Sequence, residues 1–253
     1  MASFWQGSRS MTDALAGKVV IITGASSGIG AAAARALARR GCKLTLAARS
    51  EDKLRALADE LATESLVVRA DMTAPADISR MVARARERFG RIDVMFANAG
   101  VFIQGDFADY DIDAVGAMLR TNVDGVLRCA HAVLPVMKAQ GSGDILVTSS
   151  IAGHEELAGG PAYGASKHAI ETFVNTLRRQ VAGDGIRVMS LAPARVANEL
   201  WDLTEPAEIE KLTVGEQRYL KVEDVADAAL FMLSRPRHVT VRNLVIIAKN
   251  QDV

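Results

Sequence analysis

Short apolar runs alternate with longer amphipathic stretches along the chain. The apolar runs cover residues 18–23, 42–47, 66–70, 93–97, 144–149, 186–191 and 244–248. Runs of this length, rich in β-branched residues, are typical of strands buried on both faces. The stretches with helical features cover residues 31–40, 50–62, 75–89, 113–138, about 163–182 and 222–234. This alternation predicts an α/β fold with a parallel sheet covered by helices on both sides.

Residues that begin and end helices support this division. Gly41 follows the first predicted helix, Ser50 stands at the N-cap of the second, and Pro75 lies at an early position of the third. The sequence shows no linker, repeat or low-complexity segment between these elements. We therefore expect one domain over residues 17–253, preceded by a flexible extension over residues 1–16.

Composition narrows the classes of partner. Lys and Arg together number 30, as do Asp and Glu, so neither nucleic acid nor an anionic membrane is indicated as a partner. No apolar run reaches the ~18–20 residues of a membrane span, and residues 1–10 lack the apolar core of a secretory signal. Cys42 and Cys129 are expected to be buried thiols in a reducing, cytoplasmic compartment. The histidines show no metal-ligand spacing, so no metal is predicted.

Tyr163 and Lys167 are the first candidates for chemistry. They stand four residues apart and share one face of a predicted helix. A free phenol has a pKa of about 10. A nearby cation lowers such a pKa by ~1–3 units, so Lys167 is placed to make Tyr163 a usable base. Ser150 ends an apolar run thirteen residues earlier and could hold a substrate oxygen. For this spacing alone, a surface Tyr–Lys pair is the alternative.

Three glycines lie at the junction between the first predicted strand and the first predicted helix. Gly24, Gly28 and Gly30 permit a tight turn and allow the backbone to approach a pyrophosphate without a Cβ in the way. The helix N-terminus that follows offers free N–H groups and a partial positive charge. The junction therefore predicts a nucleotide site. The alternative is a helix start that uses glycine only for close packing.

These motifs occur in an order that resembles the short-chain dehydrogenase/reductase family. They are TGASSGIG at residues 23–30, the turn that begins at Asn98, then Asn122, Ser150 and the Tyr163–Lys167 pair. The resemblance extends from about residue 17 to the end of the chain. It implies a three-layer Rossmann-type fold with a doubly wound, seven-stranded parallel sheet and a nicotinamide dinucleotide cofactor.

The resemblance also assigns roles to residues. It implies that Tyr163 is the catalytic acid/base, that Lys167 lowers its pKa and binds the nicotinamide ribose, and that Ser150 positions the substrate oxygen. Asn122 would anchor the helix that orders a proton-relay water. The implied cofactor-binding residues are Gly24, Ser26, Ser27, Gly28, Ile29, Gly30, Arg49, Asp71, Met72, Asn98, Ala99, Gly100, Tyr163, Lys167, Pro193 and Val196.

Structural roles are open for several of these residues. Asp71 could cap a helix, and Asn98 could allow a left-handed turn, which asparagine tolerates. Asn122 could be an ordinary polar residue of a long helix. Ser149 could take the place of Ser150, but the spacing to Tyr163 favours Ser150.

The sequence departs from the family pattern after the sixth predicted strand. The family usually has Pro-Gly there, followed by a threonine near the nicotinamide amide. This chain has Pro193 and Ala194, with Asn198 where the threonine often lies. Ala194 excludes a glycine-only backbone angle, so the cofactor contacts of this segment are open.

Within the family, the chain resembles bacterial ribitol 2-dehydrogenases and related polyol dehydrogenases. The similarity rests on DVMFANAG, SGDILVTSSIAG, TLRRQVAGDGIRV and the tail RPRHVTVRNLVIIAKNQDV. It implies hydride transfer between an alcohol and a nicotinamide. The expected substrate contacts are Ser150, His154, Tyr163 and Trp201. His154, Glu155 and Glu156, just past Ser150, offer polar groups that a polyhydroxylated substrate could use, and they could equally form a solvated loop. Alternative functions are a reductase of small aldehydes or hydroxy acids and a non-catalytic dinucleotide-binding redox sensor.

The end of the second predicted strand indicates the cofactor. An acidic residue there would bond the ribose 2′-hydroxyl of NAD and repel a 2′-phosphate. This chain has no acid at the strand end, and Arg49 follows at once, with Ser27 as a further candidate phosphate contact. We expect NADP to be preferred, with NAD as a second cofactor. Arg49 could instead stack on the adenine or lie in solvent, and the ribitol dehydrogenases mostly use NAD.

Two further expectations concern surfaces. Residues 198–215 carry Trp201 among charged residues and are expected to form a lid over the substrate, the alternative being a fixed helical insertion. The apolar segment 123–137 and the Tyr163 helix are expected to pair between subunits, as the resemblance implies. With the apolar last strand as a second contact, this predicts a homotetramer.

Overall fold

The computed structural model describes residues 14–156 and 159–251. Within these ranges the strands are β1 (Val19–Thr23), β2 (Lys43–Ala48), β3 (Ser65–Arg69), β4 (Val94–Ala97), β5 (Gly143–Thr148), β6 (Ile186–Pro193) and β7 (Asn243–Ile246). All pairings are parallel, and the order across the sheet is β3-β2-β1-β4-β5-β6-β7. The predicted doubly wound, seven-stranded Rossmann-type fold is confirmed.

Helices cover both faces of the sheet and produce three layers. They are α1 (Gly28–Ala38), α2 (Glu51–Glu60), α3 (Pro75–Phe89), α4 (Ile112–Leu119), α5 (Gly125–Gln140), α6 (Pro161–Val181), α7 (Pro206–Glu210) and α8 (Val222–Leu233). One buried core packs α1, α2 and α8 against the sheet, and the other packs α3, α5 and α6 against the opposite face. The alanines of α1 are all buried, because small side chains let this helix lie close to its neighbours.

The predicted helix over residues 113–138 differs most from the structure. A π-helical turn, Arg120–Asp124, separates α4 from α5. A π-turn holds one residue more than an α-turn and leaves no clear mark in the hydrophobic pattern. Predicted strand ends lie within two residues of the observed ones. Ser50 stands at the N-cap of α2 as predicted, but its side chain makes no capping hydrogen bond.

The carboxyl ends of the strands meet at one edge of the sheet. The chain runs outward from β1 to β3 and then returns to place β4 on the other side of β1. In open α/β sheets this reversal leaves a crevice between neighbouring loops, where ligands bind. The predicted site residues follow strand ends at this edge or lie on helices beside it.

The first residues of the described chain pack against the sheet. The predicted flexible extension covers residues 1–16, of which residues 1–13 lie outside the described residues. Leu15 is 3% exposed and belongs to the core that contains α1. Across residues 14–156 and 159–251, none of the helices has both the length and the apolarity that crossing a bilayer requires.

A helical excursion connects β6 to α8. It contains the 3₁₀ turn Glu199–Trp201, then α7, and then the π-helical turn Lys211–Gly215. A bridge between Val196 and Leu220 joins the two ends of the excursion. The excursion therefore leaves and rejoins the body of the protein at one point, beside the end of β6.

Candidate active site

Tyr163, Lys167 and Ser150 come together where β5 ends and α6 begins. The Lys167 side chain is buried, and its Nζ lies 5.5 Å from the centroid of the Tyr163 ring. That Nζ donates a hydrogen bond of 3.0 Å to the carbonyl oxygen of Thr148 at the end of β5. Ser150 opens the 3₁₀ turn Ile151–Gly153, and its Oγ accepts from the Ala152 N–H at 3.2 Å. The predicted catalytic trio is thus spatially adjacent.

Burial is the main influence on the two ionisable groups of this trio. It raises the pKa of Tyr163 above the usual value of 10.0, and a hydrogen bond with Ser150 opposes that rise. It lowers the pKa of Lys167 to about 8, and the negative charge of Glu171 opposes that fall. The expectation that Lys167 lowers the pKa of Tyr163 is not met in this structure. Burial disfavours the phenolate, and the ammonium group is bonded to Thr148.

Asn122 lies in the π-helical turn and is fully buried. Its Oδ1 accepts from the Val101 N–H at 2.8 Å, and its Nδ2 donates to the Val101 carbonyl oxygen at 2.8 Å. A weaker contact of 3.4 Å joins Nδ2 to the Ser166 Oγ on α6. These bonds hold the loop after β4 against the π-helical turn between α4 and α5. The alternative of an ordinary polar residue of a long helix does not describe this buried, doubly bonded amide.

The glycine turn, residues 24–30, has the shape of an anion cradle. Gly24 and Gly28 have φ of 66° and 51°, in the left-handed region that favours glycine. A Cβ on Gly24 would lie 2.9 Å from the Ala99 Cα, and a Cβ on Gly30 would overlap the Gly24 carbonyl oxygen. The Ser27 side chain does not cap α1, and the first turn of α1 has no acidic residue. Free N–H groups at a helix N-terminus beside a glycine turn fit a dinucleotide pyrophosphate.

Ser26, Ser27 and Ile29 are half-buried in the same turn. Gly100 follows β4 on the opposite side of the crevice. A Cβ on Gly100 would lie 3.5 Å from the Asn122 Oδ1 and 3.8 Å from the Lys167 Nζ. The predicted cofactor residues of the glycine turn and of the turn after β4 therefore lie next to Ser150, Tyr163 and Lys167.

Asn98 ties three adjacent strand ends together. Its Nδ2 donates to the Thr23 carbonyl oxygen at 3.1 Å, and its Oδ1 accepts from the Thr148 Oγ1 at 2.9 Å. The backbone N–H groups of Asn98 and Ala99 both donate to the Thr23 Oγ1. Within the described chain, positive φ at non-glycine residues occurs at Asp202 and Gln217, so the left-handed alternative for Asn98 is wrong.

Thr23 and Thr148 were missed from the sequence. Thr23 is the first letter of TGASSGIG, which was a usable signal, because a hydroxyl at a strand end readily accepts bonds from a neighbouring turn. Thr148 acts through both its hydroxyl and its carbonyl group, and no local pattern predicts the latter. Both residues position predicted site residues and face the same crevice.

Arg49, Asp71 and Met72 lie at the β2 and β3 end of the crevice. The Ala25 N–H donates to the Ala47 carbonyl oxygen at 3.2 Å, so the exposed Arg49 begins two residues from a direct contact with the glycine turn. The Asp71 Oδ1 accepts from both the N–H and the Oγ1 of Thr73 at 2.8 Å. It therefore caps its own turn and not the N-terminus of α3. Met72 is buried, with its Sδ 3.9 Å from the Cys129 Sγ.

An aromatic wall, made of Phe102, Trp201 and Tyr219, lies beside Tyr163. The Phe102 ring packs edge-on against Tyr163 with centroids 4.8 Å apart, and lies 5.0 Å from the Trp201 ring. Trp201 in turn meets Tyr219 at 6.2 Å. Trp201 was predicted as a substrate contact, whereas Phe102 and Tyr219 were missed, because nothing local in the sequence indicates that they converge.

His154 lies just past Ser150, beside the buried Glu171 of α6. Its Nε2 lies 3.2 Å from the Glu171 Oε1, a close contact that lacks hydrogen-bond geometry. His154, Glu155 and Glu156 are all exposed, as the solvated-loop alternative expects. The role of His154 as a substrate contact stays a prediction.

The segment after β6 reaches the glycine turn. Pro193 is the last residue of β6, Val196 is buried, and the Ala194 N–H donates to the Ile246 carbonyl oxygen at 2.9 Å. A Cβ on Gly28 would lie 3.4 Å from the Asn198 Nδ2. Ala194 is not among the left-handed residues of the described chain, so the loss of the family glycine causes no backbone strain here.

Comparison with known proteins agrees with this geometry. The family model described as short chain dehydrogenase matches residues 18–208. An uncharacterized oxidoreductase of Staphylococcus haemolyticus is 35% identical over 233 residues, which cover 92% of this chain and 97% of the relative. A similar oxidoreductase of Staphylococcus epidermidis is 33% identical over 229 residues, 90% of this chain and 96% of the relative.

Solved structures extend the comparison. An alcohol dehydrogenase from Thermococcus sibiricus, complexed with 5-hydroxy-NADP, is 32% identical with a TM-score of 0.83 and covers 93% of this chain and 98% of its own. The closed form of a serine dehydrogenase complexed with NADP⁺ is 28% identical with a TM-score of 0.84, and covers 93% of this chain and 96% of its own. On the family model and these relatives, the chain belongs to the short-chain dehydrogenase family and is an oxidoreductase.

Proposed function

We propose that the protein interconverts an alcohol and a carbonyl compound by NAD(P)-dependent hydride transfer. One observation carries the proposal, which is the convergence of Ser150, Tyr163 and Lys167 beside the glycine turn. A dinucleotide held by the glycine turn, Asn98 and Lys167 would supply the hydride acceptor or donor. A redox sensor would need the glycine turn but none of the proton-transfer groups.

Each catalytic side chain has a distinct task in this proposal. In the reducing direction the Tyr163 hydroxyl gives its proton to the carbonyl oxygen, and in the oxidising direction the Tyr163 phenolate takes the proton from the alcohol, beside the Ser150 hydroxyl to which it is bonded. Ser150 holds the reacting oxygen. Lys167 remains about nine-tenths protonated at pH 7 when its pKa is about 8, so it supplies a cation to the site. Asn122 fixes the loop that carries Val101, next to Phe102.

Two classes of substrate are candidates for this site. A polyol such as ribitol is the class that the sequence resemblance implies. The aromatic wall favours instead a small aldehyde or another compound with an apolar part, because aromatic rings bury apolar surface. His154 is exposed beside Ser150 and is the polar side chain that a polyol would be expected to use.

A substrate panel tests the proposal directly. Pentitols, hexitols, hydroxy acids and small aldehydes would be assayed with NADP(H) and NAD(H) by nicotinamide absorbance. We expect turnover with at least one class. Tight dinucleotide binding without turnover of any compound would refute the proposed function and support the redox sensor.

The excursion over residues 198–215 is proposed as a lid. It contacts both ends of the site, with Asn198 beside Gly28 and Trp201 against Phe102. Hydrogen exchange should slow across residues 198–215 when dinucleotide and substrate are both added, because closure buries the backbone. Helix α3, on the opposite side of the sheet, serves as an internal control. Equal exchange in both states would support the fixed helical insertion.

A homotetramer is the proposed assembly. Leu119 on α4 and Leu127 on α5 are exposed by 39% and 36%, and Phe231 on α8 and Val245 on β7 by 43% and 41%. Two separate exposed apolar surfaces fit two kinds of subunit contact. Light scattering at micromolar concentration should give about four times the 27.0 kDa of one chain. Val245→Glu should convert tetramers to dimers, whereas a wild-type mass near 27 kDa would contradict the proposal.

We also propose a cytoplasmic location and one domain over residues 17–253. Both cysteines are free and buried, and burial raises the pKa of the Cys42 and Cys129 thiols to about 12. Such thiols are unreactive and suit a reducing compartment.

A further inference from the structure

A buried carboxylate lies one helical turn beyond Lys167. Glu171 is 7% exposed, and its Oε2 accepts from the Ser190 Oγ at 3.0 Å and from the Asn243 Nδ2 at 2.5 Å. Its Oε1 lies 3.2 Å from the His154 Nε2. A buried carboxylate is costly unless it is bonded and balanced by charge, so its neighbours indicate what it does.

Glu171 joins four elements of the protein. It stands on α6, and its partners belong to β6, to β7 and to the turn that follows Ser150. That turn lies directly against α6. A Cβ on Gly153 would be 3.0 Å from the Lys167 carbonyl oxygen and 3.1 Å from the Glu171 Cγ. The carboxylate therefore sits where the element that carries Ser150 meets the helix that carries Tyr163 and Lys167.

The charge of Lys167 also indicates a role for Glu171. Residues four apart on a helix share a face, so Glu171 lies on the same face of α6 as Lys167, and both side chains are buried. The groups that face Glu171 from other elements are His154, Ser190 and Asn243, of which His154 has the one ionisable side chain. The hydroxyl of Ser149, which also lies against Gly153, is uncharged. Burial lowers the pKa of Lys167 to about 8, and Glu171 opposes that fall.

We propose that Glu171 is a positioning residue for the reaction, holding the Ser150 turn against α6 through His154 and providing the counter-charge of the Lys167 ammonium group. This inference rests on the function proposed above. In the proposed reaction, Glu171 contacts neither the substrate nor the dinucleotide. Its two tasks predict different signatures, because loss of charge alters the pH dependence while loss of the His154 contact alters the rate at every pH.

The variant Glu171→Gln tests the charge. The pKa of Lys167 should fall by about one unit, the size of shift that a neighbouring buried charge causes. The alkaline limb of the carbonyl-reduction profile should move by the same amount to lower pH. At pH 7.5 the rate should drop roughly threefold, because the protonated fraction of Lys167 falls from about three-quarters to about one-quarter. Glu87→Gln removes an equal charge from the exposed face of α3 and is the matched control.

The variant His154→Ala tests the positioning. It should lower kcat at all pH values, without moving the alkaline limb and without changing the dissociation constant of the dinucleotide. His154→Gln keeps a polar side chain beside Glu171 and should restore most of the rate. If Glu171→Gln does not fold, Glu171→Asp retains the charge on a shorter side chain. It should reproduce the His154→Ala profile.

Lysine ¹³C NMR gives a readout that needs no substrate. The Lys167 resonance is identified by its absence from Lys167→Met, and its titration is then followed in Glu171→Gln. An unshifted titration with an unchanged kcat would overturn the role of Glu171, even in a protein that turns over substrate. Absence of turnover in the wild-type protein would refute the proposed function, whatever the titration shows.

Discussion

Replacing Tyr163 by Phe should abolish turnover while dinucleotide binding survives. The substitution removes only the hydroxyl that we propose moves the proton, and it keeps the ring that packs against Phe102 at 4.8 Å. General acid–base groups contribute typically ~10²–10⁴-fold to rate, so kcat should fall to the order of one per cent or less. Steady-state rates and fluorescence titration with the reduced dinucleotide would measure the two properties separately.

A second tyrosine provides the control. The Tyr110 hydroxyl donates to the Ile103 carbonyl oxygen at 3.2 Å, so Tyr110→Phe also removes one bonded hydroxyl from a nearby loop. Its kcat should stay close to that of the wild-type protein. Retention of more than a few per cent of wild-type kcat in Tyr163→Phe would show that another group moves the proton.

Replacing Arg49 by Ala should weaken the use of NADP and leave the use of NAD nearly unchanged. Arg49 is exposed just beyond β2, close to the glycine turn, and the strand end carries no acid that would favour NAD. Loss of a charge-assisted phosphate contact of ~1.5–3 kcal/mol corresponds to a fall in kcat/KM of roughly 10- to 150-fold. The measurement is kcat/KM for each cofactor with any accepted substrate.

The matched control for Arg49 removes the same charge from a neighbouring element. Arg55 on α2 pairs with Glu51 one turn away and is 65% exposed, so Arg55→Ala should affect both cofactors little. A wild-type preference for NAD would contradict our proposal. Equal losses with both cofactors in Arg49→Ala would assign Arg49 to the adenine or to general binding.

The order of strands and helices could be predicted because each strand is a continuous apolar run and each helix has its own periodicity. The glycine turn could also be predicted from the sequence, since glycines at residues 24, 28 and 30 between a strand and a helix are typical of a phosphate-binding turn. The aromatic wall could not be predicted from the sequence. Phe102 and Trp201 are almost a hundred residues apart, and only the folded chain brings their rings within 5.0 Å.

Two features of the site could not be predicted from the sequence. One is the contact between His154 and Glu171, which depends on how α6 packs against the turn after Ser150, and the other is the raised pKa of Tyr163, which depends on burial. Local sequence gives residue types and spacings, but it does not give desolvation, which depends on everything that packs around a group.

The π-helical turn at Arg120–Asp124 has an evolutionary consequence. Its extra residue can be lost by a single-codon deletion, which would let α4 and α5 continue as one regular helix. Each residue of an α-helix turns the chain by about 100°. The deletion would thus rotate one half of the helix against the other and carry the Asn122 amide away from Val101. A lineage could therefore lose the support of its active site in one mutational step and still keep its sheet and its dinucleotide cradle.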